Sequence, residues 1–248
     1  MQFQTPTGPV AVTVPDAAAL WAAVRARLRA GEGFALATLN LDHLDKLRRD
    51  RAFAKAYAAQ DMVTADGNPI VWLSRLGGRP VMLLPGADLV EPLAQIAVAE
   101  GRSVALLGST DAALERAAEA LKARVPGLDV ALRIAPPMGF DPEGPEAAAM
   151  LARLQEAGVG LCFLALGAPK QERLAARGRA LAPGVGFVSI GAGLDFLAGS
   201  QVRAPAWVRR IAMEWLWRML SNPRRLAGRY TRSALILPGH AWRAWRGR

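Results

Sequence analysis

The sequence has few of the residues that form disulfides or bind transition metals, with one cysteine and two histidines among 248 residues. A single cysteine, Cys162, excludes a disulfide within the chain and is typical of a reducing compartment. The histidines, His43 and His240, are far apart, and neither has clustered cysteines or carboxylates beside it. We therefore expect no bound metal and no cofactor.

Long apolar runs and the common nucleotide-binding motifs are also absent. No stretch reaches the roughly 18 apolar residues that span a bilayer. The N-terminal stretch MQFQTPTGPVAVTVPD lacks the basic and apolar regions of a signal peptide. There is no P-loop, and no GxGxxG opens a βα unit, which argues against ATP hydrolysis and nicotinamide chemistry. We expect a cytoplasmic protein, either soluble or lying on a membrane surface.

The charge is distributed unevenly along the chain. Residues 201–248 hold eleven arginines and one acid, Glu214, and so carry the whole net charge of +10. The first 200 residues hold 20 basic and 20 acidic side chains and are neutral. Five of the seven tryptophans are also in the last fifth: Trp207, Trp215, Trp217, Trp242 and Trp245. This composition predicts a neutral domain over 1–200 and a basic, tryptophan-rich appendage over 201–248.

In the first 200 residues, apolar strand-like runs alternate with helical patterns. This alternation predicts an α/β fold with a Rossmann-like, mostly parallel sheet and helices on both faces. The predicted strands are Phe34–Asn40, Met62–Ala65, Val104–Gly108, Val130–Ile134, Leu161–Gly167 and Phe187–Gly191. The predicted helices include Ala17–Ala30, Asp42–Ala59, Asp111–Val125, Pro145–Glu156 and Lys170–Leu181.

Glycines at the predicted strand ends indicate where a ligand would bind. Sheets of this kind bind ligands at the carboxyl ends of their strands, where backbone N–H groups face an anion. Gly108, Gly167 and Gly191 end three of the predicted strands, and polar residues follow closely after them. Any one such glycine is typical of an ordinary turn. Together they predict a nucleotide or diphosphate site.

Asp66 is the acid that draws attention at a strand end. An Asp-Gly pair after a strand is usually a turn. The alternative is a carboxylate that faces the cleft and removes a proton. Thr38 and Asn40, at the end of the preceding strand, would lie beside it. The local sequence leaves both interpretations open.

The appendage has an amphipathic pattern. On a helix over 207–220, Arg210, Glu214 and Arg218 form one narrow polar stripe and most of the remaining surface is apolar. Basic and aromatic residues on such a helix are typical of the bilayer interface. A helix packed onto the domain is an alternative interpretation. Nucleic-acid binding also fits the charge, although a phosphate-binding stripe needs no such apolar surface, so we expect no nucleic acid as partner.

Short segments with characteristic residues occur in order along the chain: Thr38-Leu39-Asn40, Asp66-Gly67, Gly86-Ala87-Asp88-Leu89, Leu107-Gly108, Gly139-Phe140, Leu166 to Glu172, Gly191 to Gly199, Arg203-Ala204-Pro205, Glu214 to Arg218, Asn222 to Arg225, and Arg229-Tyr230. Taken together, they resemble the WecG/TagA/CpsF family of bacterial glycosyltransferases (glycosyltransferase family 26), in unbroken order from Phe34 to Tyr230. As a set these segments are specific, although no single member is.

The resemblance implies an inverting, metal-independent transferase that moves a sugar from a UDP-sugar to a polyprenyl-diphosphate-linked sugar. The donor sugar would be of the N-acetylmannosamine, N-acetylmannosaminuronic acid or glucose type. Such enzymes work in cell-surface polysaccharide synthesis, peripherally bound to an anionic surface at the inner face of the cell membrane. The sequence leaves open the donor, the acceptor sugar and any homo-oligomer.

The resemblance also implies roles for particular residues. Asp66 would be the general base, with Thr38 next to it. The predicted donor-binding residues are Gly108, Gly139, Gly167, Lys170, Gln171, Glu172, Gly191, Gly193 and Asp195. The predicted acceptor or diphosphate contacts are Asn40, Arg218, Arg225 and Arg229. The predicted membrane contacts are Trp207, Trp215, Trp217, Trp242 and Trp245.

One position departs from the family pattern. Leu83 stands about three residues before Gly86, where the family usually has an arginine. Leu83 and Leu84 in this stretch weakly favour a non-catalytic sugar-nucleotide-binding or scaffold protein of a polysaccharide assembly complex. The presence of both Asp66 and Thr38 favours an enzyme.

Overall fold

The computed structural model describes residues 2–5, 8–205, 207–208, 212–221 and 223–247. In the last two ranges, some residues are described by their backbone alone. They are Arg218, Ser221, residues 223–227, Arg229 and Tyr230.

A six-stranded sheet forms the centre of the protein, with a small hairpin beside it. The hairpin is antiparallel and consists of β1 (Gln2–Thr5) and β2 (Gly8–Ala11). The strands of the sheet are β3 (Phe34–Leu39), β4 (Met62–Ala65), β5 (Val104–Gly108), β6 (Val130–Ile134), β7 (Leu161–Ala165) and β8 (Gly186–Ser189). Their spatial order is β4-β3-β8-β7-β5-β6, and every neighbouring pair is parallel. The predicted α/β fold with a parallel sheet is confirmed.

Helices connect the strands and cover both faces of the sheet. They are α1 (Ala17–Ala30), α2 (Leu41–Leu47), α3 (Arg51–Ala58), α4 (Asn68–Leu76), α5 (Gly86–Ala99), α6 (Asp111–Arg124), α7 (Pro145–Glu156), α8 (Lys170–Leu181) and α9 (Gly193–Leu197). Two more follow the sheet, α10 (Glu214–Ser221) and α11 (Pro223–Arg246). Consecutive residues of β3 show the two-sided covering: Phe34 packs with α1 and α5 residues, whereas Ala35 packs with α7 and α8 residues. A strand covered on both faces reads as a continuous apolar run.

One predicted helix is two helices. The sequence pattern predicts a continuous helix over Asp42–Ala59, but α2 ends at Leu47 and α3 begins at Arg51. The side chain of Asp50 accepts a hydrogen bond from the backbone N–H of Phe53 at 2.9 Å and so caps α3. An aspartate that caps a helix start competes with a continuous helix through the same position.

The predicted helix over 207–220 is also wrong in its extent. Ala212 has a φ of +62°, and α10 begins at Glu214. A left-handed residue cannot continue a right-handed helix. Trp207 and Glu214 therefore do not lie on one continuous helix. The predicted stop at Asn222-Pro223 agrees with the end of α10 at Ser221, although Asn222 itself and Arg210 lie outside the described residues.

The last helix, α11, is packed against the body of the protein. It contacts α2 and α4. Its inner face includes Ile236, which is 9% exposed and belongs to the same apolar cluster as residues of α2 and α4. His240 lies on this face too, with its ring 5.9 Å from that of Phe3 in the hairpin. The helix is therefore part of the structural core on this side. In the part of the chain that the structure describes, no helix combines the length and apolar composition needed to cross a bilayer.

Candidate active site

Thr38 and Asp66 meet at the carboxyl ends of β3 and β4. The Thr38 hydroxyl donates to Oδ2 of Asp66 at 3.3 Å, and the Asp66 backbone N–H donates to the carbonyl of Leu39 at 2.8 Å. Gly67 follows with a φ of +105° and starts α4. The Asp-Gly pair is thus a turn, and it leaves the Asp66 carboxylate partly exposed at the strand end. A carboxylate held there can accept a proton from a bound ligand.

Tyr57 contacts the end of β3 from the buried side. Its hydroxyl donates to the Thr38 carbonyl at 2.8 Å, and its side chain is buried. Burial raises the pKa of Tyr57 well above its usual value, and the charges of Glu172 and Asp66 raise it further. The phenol therefore stays protonated and keeps its donor role over the physiological pH range.

Asn40 lies beside this pair and has a structural role of its own. It is the N-cap of α2, and its Oδ1 accepts from the backbone N–H of His43 at 2.9 Å. The cap fixes the Asn40 side chain next to the turn at Gly67, where an added Cβ would lie 4.0 Å from the Asn40 Cβ. The predicted acceptor contact at Asn40 stays a prediction.

Asp195 is held near the carboxyl ends of β5 and β8, which lie on either side of β7. The Ser109 hydroxyl donates to its Oδ1 at 2.7 Å, and the Gln201 side-chain amide donates to its Oδ2 at 2.9 Å. Ser109 follows β5 with a φ of +53°, a left-handed conformation that is uncommon for a residue with a side chain. Gly108 precedes it, and a Cβ there would lie only 2.4 Å from the carbonyl oxygen of Ala165. Only glycine fits at this close approach of β5 and β7.

Gln171 and Glu172 open α8 beneath the same strand ends, and both are buried. The Gln171 amide nitrogen donates to Oε1 of Glu172 at 2.8 Å, while its amide oxygen accepts from the Gly191 backbone N–H at 3.1 Å. The Gln171 side chain thus connects α8 to the turn that carries Asp195. Glu172 is 0% exposed, so its side chain does not reach the surface of the protein.

The other predicted donor-binding residues differ in their surroundings. Gly167 has a φ of +71° after β7, and Gly191 has a φ of +58° after β8. Gly193 is buried, and an added Cβ would lie 3.0 Å from the Ile190 Cδ1 and 3.3 Å from the Ala87 Cα. Lys170 is exposed at the start of α8, and Gly139 lies in the loop after β6 with open space at its Cα. Direct donor contacts at these positions stay predictions.

Arg203 provides a cation beside this site. Its guanidinium pairs with Asp88, is 4.0 Å from Glu214, and lies 5.8 Å from the centre of the Phe196 ring. Burial lowers the pKa of Arg203, but the carboxylates of Asp88, Glu214 and Asp66 outweigh that effect and raise it above the usual value. Arg203 is therefore a permanent positive charge within electrostatic reach of Asp66.

The predicted residues of the appendage are described in part. The side chains of Arg218, Arg225 and Arg229 lie outside the described residues. Four of the five predicted membrane tryptophans are exposed: Trp207 by 64%, Trp215 by 43%, Trp242 by 56% and Trp245 by 59%. Trp217 is half-buried.

Metal-binding side chains do not cluster in the described ranges, where no group of three histidine, cysteine or carboxylate residues could hold an ion. His43 packs instead against the rings of Phe53 and Tyr57 in the core.

Comparison with known sequences places the chain in a family. Residues 7–248 match the model of the glycosyl transferase WecG/TagA/CpsF family. The chain belongs to that family. The resemblance stated from the sequence is confirmed, and the chain is a glycosyltransferase.

Two curated relatives of the enzyme carry the same name, N-acetylglucosaminyldiphosphoundecaprenol N-acetyl-beta-D-mannosaminyltransferase. The one from Bacillus subtilis (strain 168) is 25% identical over 193 residues, which are 77% of this chain and 73% of the relative. The one from Bacillus spizizenii (strain ATCC 23059 / NRRL B-14472 / W23) is 29% identical over 169 residues, which are 68% of this chain and 63% of the relative.

Three residues of the glycosyltransferase site have no role assigned from the sequence: Tyr57, Ser109 and Arg203. Tyr57 lies in an amphipathic helix, where its spacing indicates only a buried face. Ser109 follows a strand-end glycine, which is a signal for the site but not for this contact. Arg203 is in the Arg-Ala-Pro segment that contributes to the resemblance, and its pairing with Asp88 links positions 115 residues apart. The local sequence around either residue does not indicate a contact between positions so far apart in the chain.

Leu83 occupies the position where the family usually has an arginine. It forms an isolated parallel bridge with Ala65, one residue before Asp66. Its neighbour Leu84 is buried and donates its backbone N–H to the Ala65 carbonyl at 2.8 Å. The leucine thus lies next to the strand end that carries Asp66, and Arg203 supplies positive charge in the same region.

Proposed function

We propose that the enzyme transfers a sugar from a UDP-sugar to a polyprenyl-diphosphate-linked sugar, with inversion and without a metal ion. The observation that carries the proposal is the contact between Thr38 and Asp66 at the open carboxyl end of a parallel sheet. The names of the two relatives support a polyprenyl-diphosphate acceptor. They also favour N-acetylmannosamine among the three donor types that the sequence leaves open.

Asp66 acts as the general base in this proposal. The acceptor hydroxyl gives its proton to the Asp66 carboxylate as its oxygen attacks the anomeric carbon. The bond from that carbon to the diphosphate breaks, and its electron pair leaves with UDP. Attack on the face opposite the leaving group inverts the configuration. Thr38 orients the base through its hydrogen bond to Oδ2.

Positive charge must stabilise the departing diphosphate when no metal does so. Arg203 is one such charge, and two observations support it: its charge interaction with Asp66 and its position between the first turn of α5 and the start of α10. Arg218, Arg225 and Arg229 are the further candidates that the resemblance implies. Backbone N–H groups at the strand ends add to this potential.

The uridine part of the donor binds near Asp195 in this proposal. Two hydrogen bonds hold the Asp195 carboxylate in place, and each of its oxygens has a further lone pair for a ribose hydroxyl. At Gly167 an added Cβ would meet no protein atom within 4 Å, so this glycine permits close approach of the diphosphate to the backbone.

The outer face of α11 supports attachment to an anionic membrane surface. Leu235, Trp242 and Trp245 are exposed there, and the guanidinium of Arg246 lies 4.7 Å from the centre of the Trp242 ring. Arg232 and Arg243 are exposed on the same helix. Apolar and basic side chains on one surface are the combination that binds the headgroup region. The exposed face lies opposite the face that packs on the body.

The test is a transfer assay with a panel of UDP-sugars and a short-chain polyprenyl-diphosphate N-acetylglucosamine acceptor, with and without excess EDTA. We expect transfer from at least one donor, unaffected by EDTA. Asp66→Asn should lower kcat by roughly 10²–10⁴-fold, with UDP affinity near that of wild type. The matched control is Asp129→Asn, an exposed aspartate before the amino end of β6, which should retain full turnover. UDP binding without transfer from any donor would instead support the scaffold interpretation.

A further inference from the structure

Glu172 is a buried carboxyl group with no access to a substrate. Its side chain is 0% exposed, and its Oε2 has no hydrogen-bond partner among the described residues. Burying a carboxyl group with half of its acceptors unused is costly. A residue at this position can affect the reaction only through its neighbours.

The hydrogen bonds around Glu172 define the orientation of one amide. Gln171 donates its amide nitrogen to Glu172 and accepts the Gly191 N–H at its amide oxygen. An ionised carboxylate only accepts hydrogen bonds, and a backbone N–H only donates. In the flipped amide, two oxygens would face each other at Glu172 and two donors would face each other at Gly191. The Glu172 charge and the Gly191 N–H therefore select the observed orientation of Gln171 together.

That orientation fixes the start of the turn after β8. Gly191 is the first residue of this turn, and Asp195 is four residues further on. The Gly193 N–H donates to the Ile190 carbonyl at 3.1 Å and closes the turn. An anchored Gly191 N–H thus sets the position from which the turn carries Asp195 to Ser109.

We propose that Glu172 is a positioning residue of the donor site, which locks the Gln171 amide against Gly191 and thereby holds the turn that presents Asp195. The inference rests on the proposed function, because it takes the Asp195 turn as the part that binds the nucleotide. Glu172 itself does not touch the donor.

The charge state of Glu172 makes the hydrogen-bonded link from Glu172 through Gln171 to Gly191 sensitive to pH. Burial raises the pKa of Glu172 to about 7, although hydrogen bonds from Gln171 and from the Glu172 backbone, and the charge of Lys46, lower it. The ionisable groups that interact with it in the described structure are Lys46 on α2 and Tyr57 on α3. A protonated carboxyl is the weaker acceptor and loses its preference for one amide orientation. The turn should therefore loosen as the pH falls through about 7.

The informative variant is Glu172→Gln, which keeps the shape of the side chain and removes its charge. A glutamine at 172 can accept from either orientation of Gln171 or donate to it, so only the Gly191 N–H still favours the observed orientation and the amide is held less firmly. UDP is the probe, because its binding requires neither the correct sugar nor the acceptor. We expect a Kd for UDP roughly tenfold higher at pH 8 and roughly tenfold faster amide exchange at Gly191, measured by NMR. Wild-type Kd should rise from pH 8 to pH 6, whereas that of Glu172→Gln should stay flat.

Two comparisons separate positioning from a general structural effect. In a Gln171→Ala background, Glu172→Gln should change the Kd less than twofold, because the residue through which it acts is gone. Glu100→Gln is the matched control: Glu100 is a mostly buried glutamate that pairs with Arg29 on α1, and its replacement should alter neither the Kd nor the exchange at Gly191.

An unchanged Kd for UDP in Glu172→Gln would overturn the proposal, and so would an equal change in the Gln171→Ala background. Failure of the proposed function looks different. Wild-type protein would then bind no UDP at any pH, and amide exchange at Gly191 would decide the positioning role by itself. Unchanged exchange in Glu172→Gln would reject that role.

Discussion

The Ser109 hydroxyl donates to Oδ1 of Asp195 at 2.7 Å from a backbone position with a φ of +53°. The residue therefore combines an unfavourable backbone conformation with a contact to the proposed nucleotide site. Strain of this kind persists where the surrounding structure requires it, and it often marks functional sites.

Substitutions at Ser109 should separate stability from binding. Ser109→Gly and Ser109→Ala both remove the hydroxyl, but only glycine adopts the left-handed conformation without cost. We expect Ser109→Gly to be about 1 kcal/mol more stable than Ser109→Ala in urea denaturation. Both variants should bind UDP several-fold more weakly than wild type, as measured by calorimetry. Wild-type affinity in Ser109→Ala would show that the hydroxyl does not orient Asp195 for binding.

Arg203 should contribute to turnover more than to donor affinity. If its charge stabilises the leaving diphosphate, Arg203→Gln should lower kcat by roughly 10²-fold with a smaller change in donor KM. Arg29→Gln is a suitable control, because Arg29 likewise pairs with a carboxylate, that of Glu100, but on α1. It should leave kcat unchanged. A fall in melting temperature with normal kcat would assign Arg203 a purely structural role.

The stability of the enzyme should depend on Glu172 in a defined pH window. The pKa of Glu172 is raised from 4.5 to about 7 in the folded state, so the unfolded chain releases this proton first. The folded state is then penalised as the pH rises from about 4.5 to about 7, by a total on the order of 3 kcal/mol. Glu172→Gln does not titrate. Its stability relative to wild type should therefore increase through this window and level off above it, in urea denaturation at a series of pH values. Parallel curves would contradict the raised pKa.

The outer face of α11 should bind membranes independently of catalysis. Replacing Leu235, Trp242 and Trp245 together with serine should reduce sedimentation with anionic liposomes at least tenfold. The melting temperature should change little, since all three side chains are exposed. Turnover on a water-soluble acceptor analogue should persist. Leu181→Ser, at an exposed position on α8, is the control that should retain liposome binding. Unchanged sedimentation of the triple variant would exclude this face.

Deletion of residues 201–248 is a less informative experiment than these substitutions. It would remove Ile236 from the apolar cluster that α11 shares with α2 and α4. The exposed faces of those helices would destabilise the rest of the protein. Whether 201–248 is a separate unit stays a prediction, and the contacts of α11 show that the unit would not be detached.

Much of the sheet could be predicted because buried parallel strands are continuous apolar runs. Met62–Ala65, Val104–Gly108 and Val130–Ile134 have the predicted bounds. The predicted strand ends at Gly167 and Gly191 lie beyond the observed ones, at Ala165 and Ser189. A strand predicted from the sequence ends where its apolar run ends. The observed strand ends where backbone hydrogen bonding to the neighbouring strand ends. The β1–β2 hairpin was not predicted, because its segments are short and mix polar residues with Gly8 and Pro9.

The site could be predicted in its strand-end residues but not in its long-range pairs. Asp66 and Thr38 are recognisable because each ends or follows an apolar run, and the structure places them in contact. The role of Gln171 as a link to Gly191 depends on which strand lies beside β7, and local sequence does not specify strand order. The Asp88–Arg203 pair likewise depends on the path of the chain after α9. These relationships are properties of the topology.

The packing of α11 has a geometric consequence for the reaction. The two helices of the body that it contacts, α2 and α4, begin at the site: α2 starts directly after Asn40, and α4 starts directly after Asp66 and Gly67. A helix that packs on both is therefore held close to the two strand ends. Any surface bound by the outer face of α11 is therefore kept at a set height from the Asp66 carboxylate. An acceptor sugar would reach Asp66 only if it projects from that surface by about the distance between the outer face of α11 and the Asp66 carboxylate.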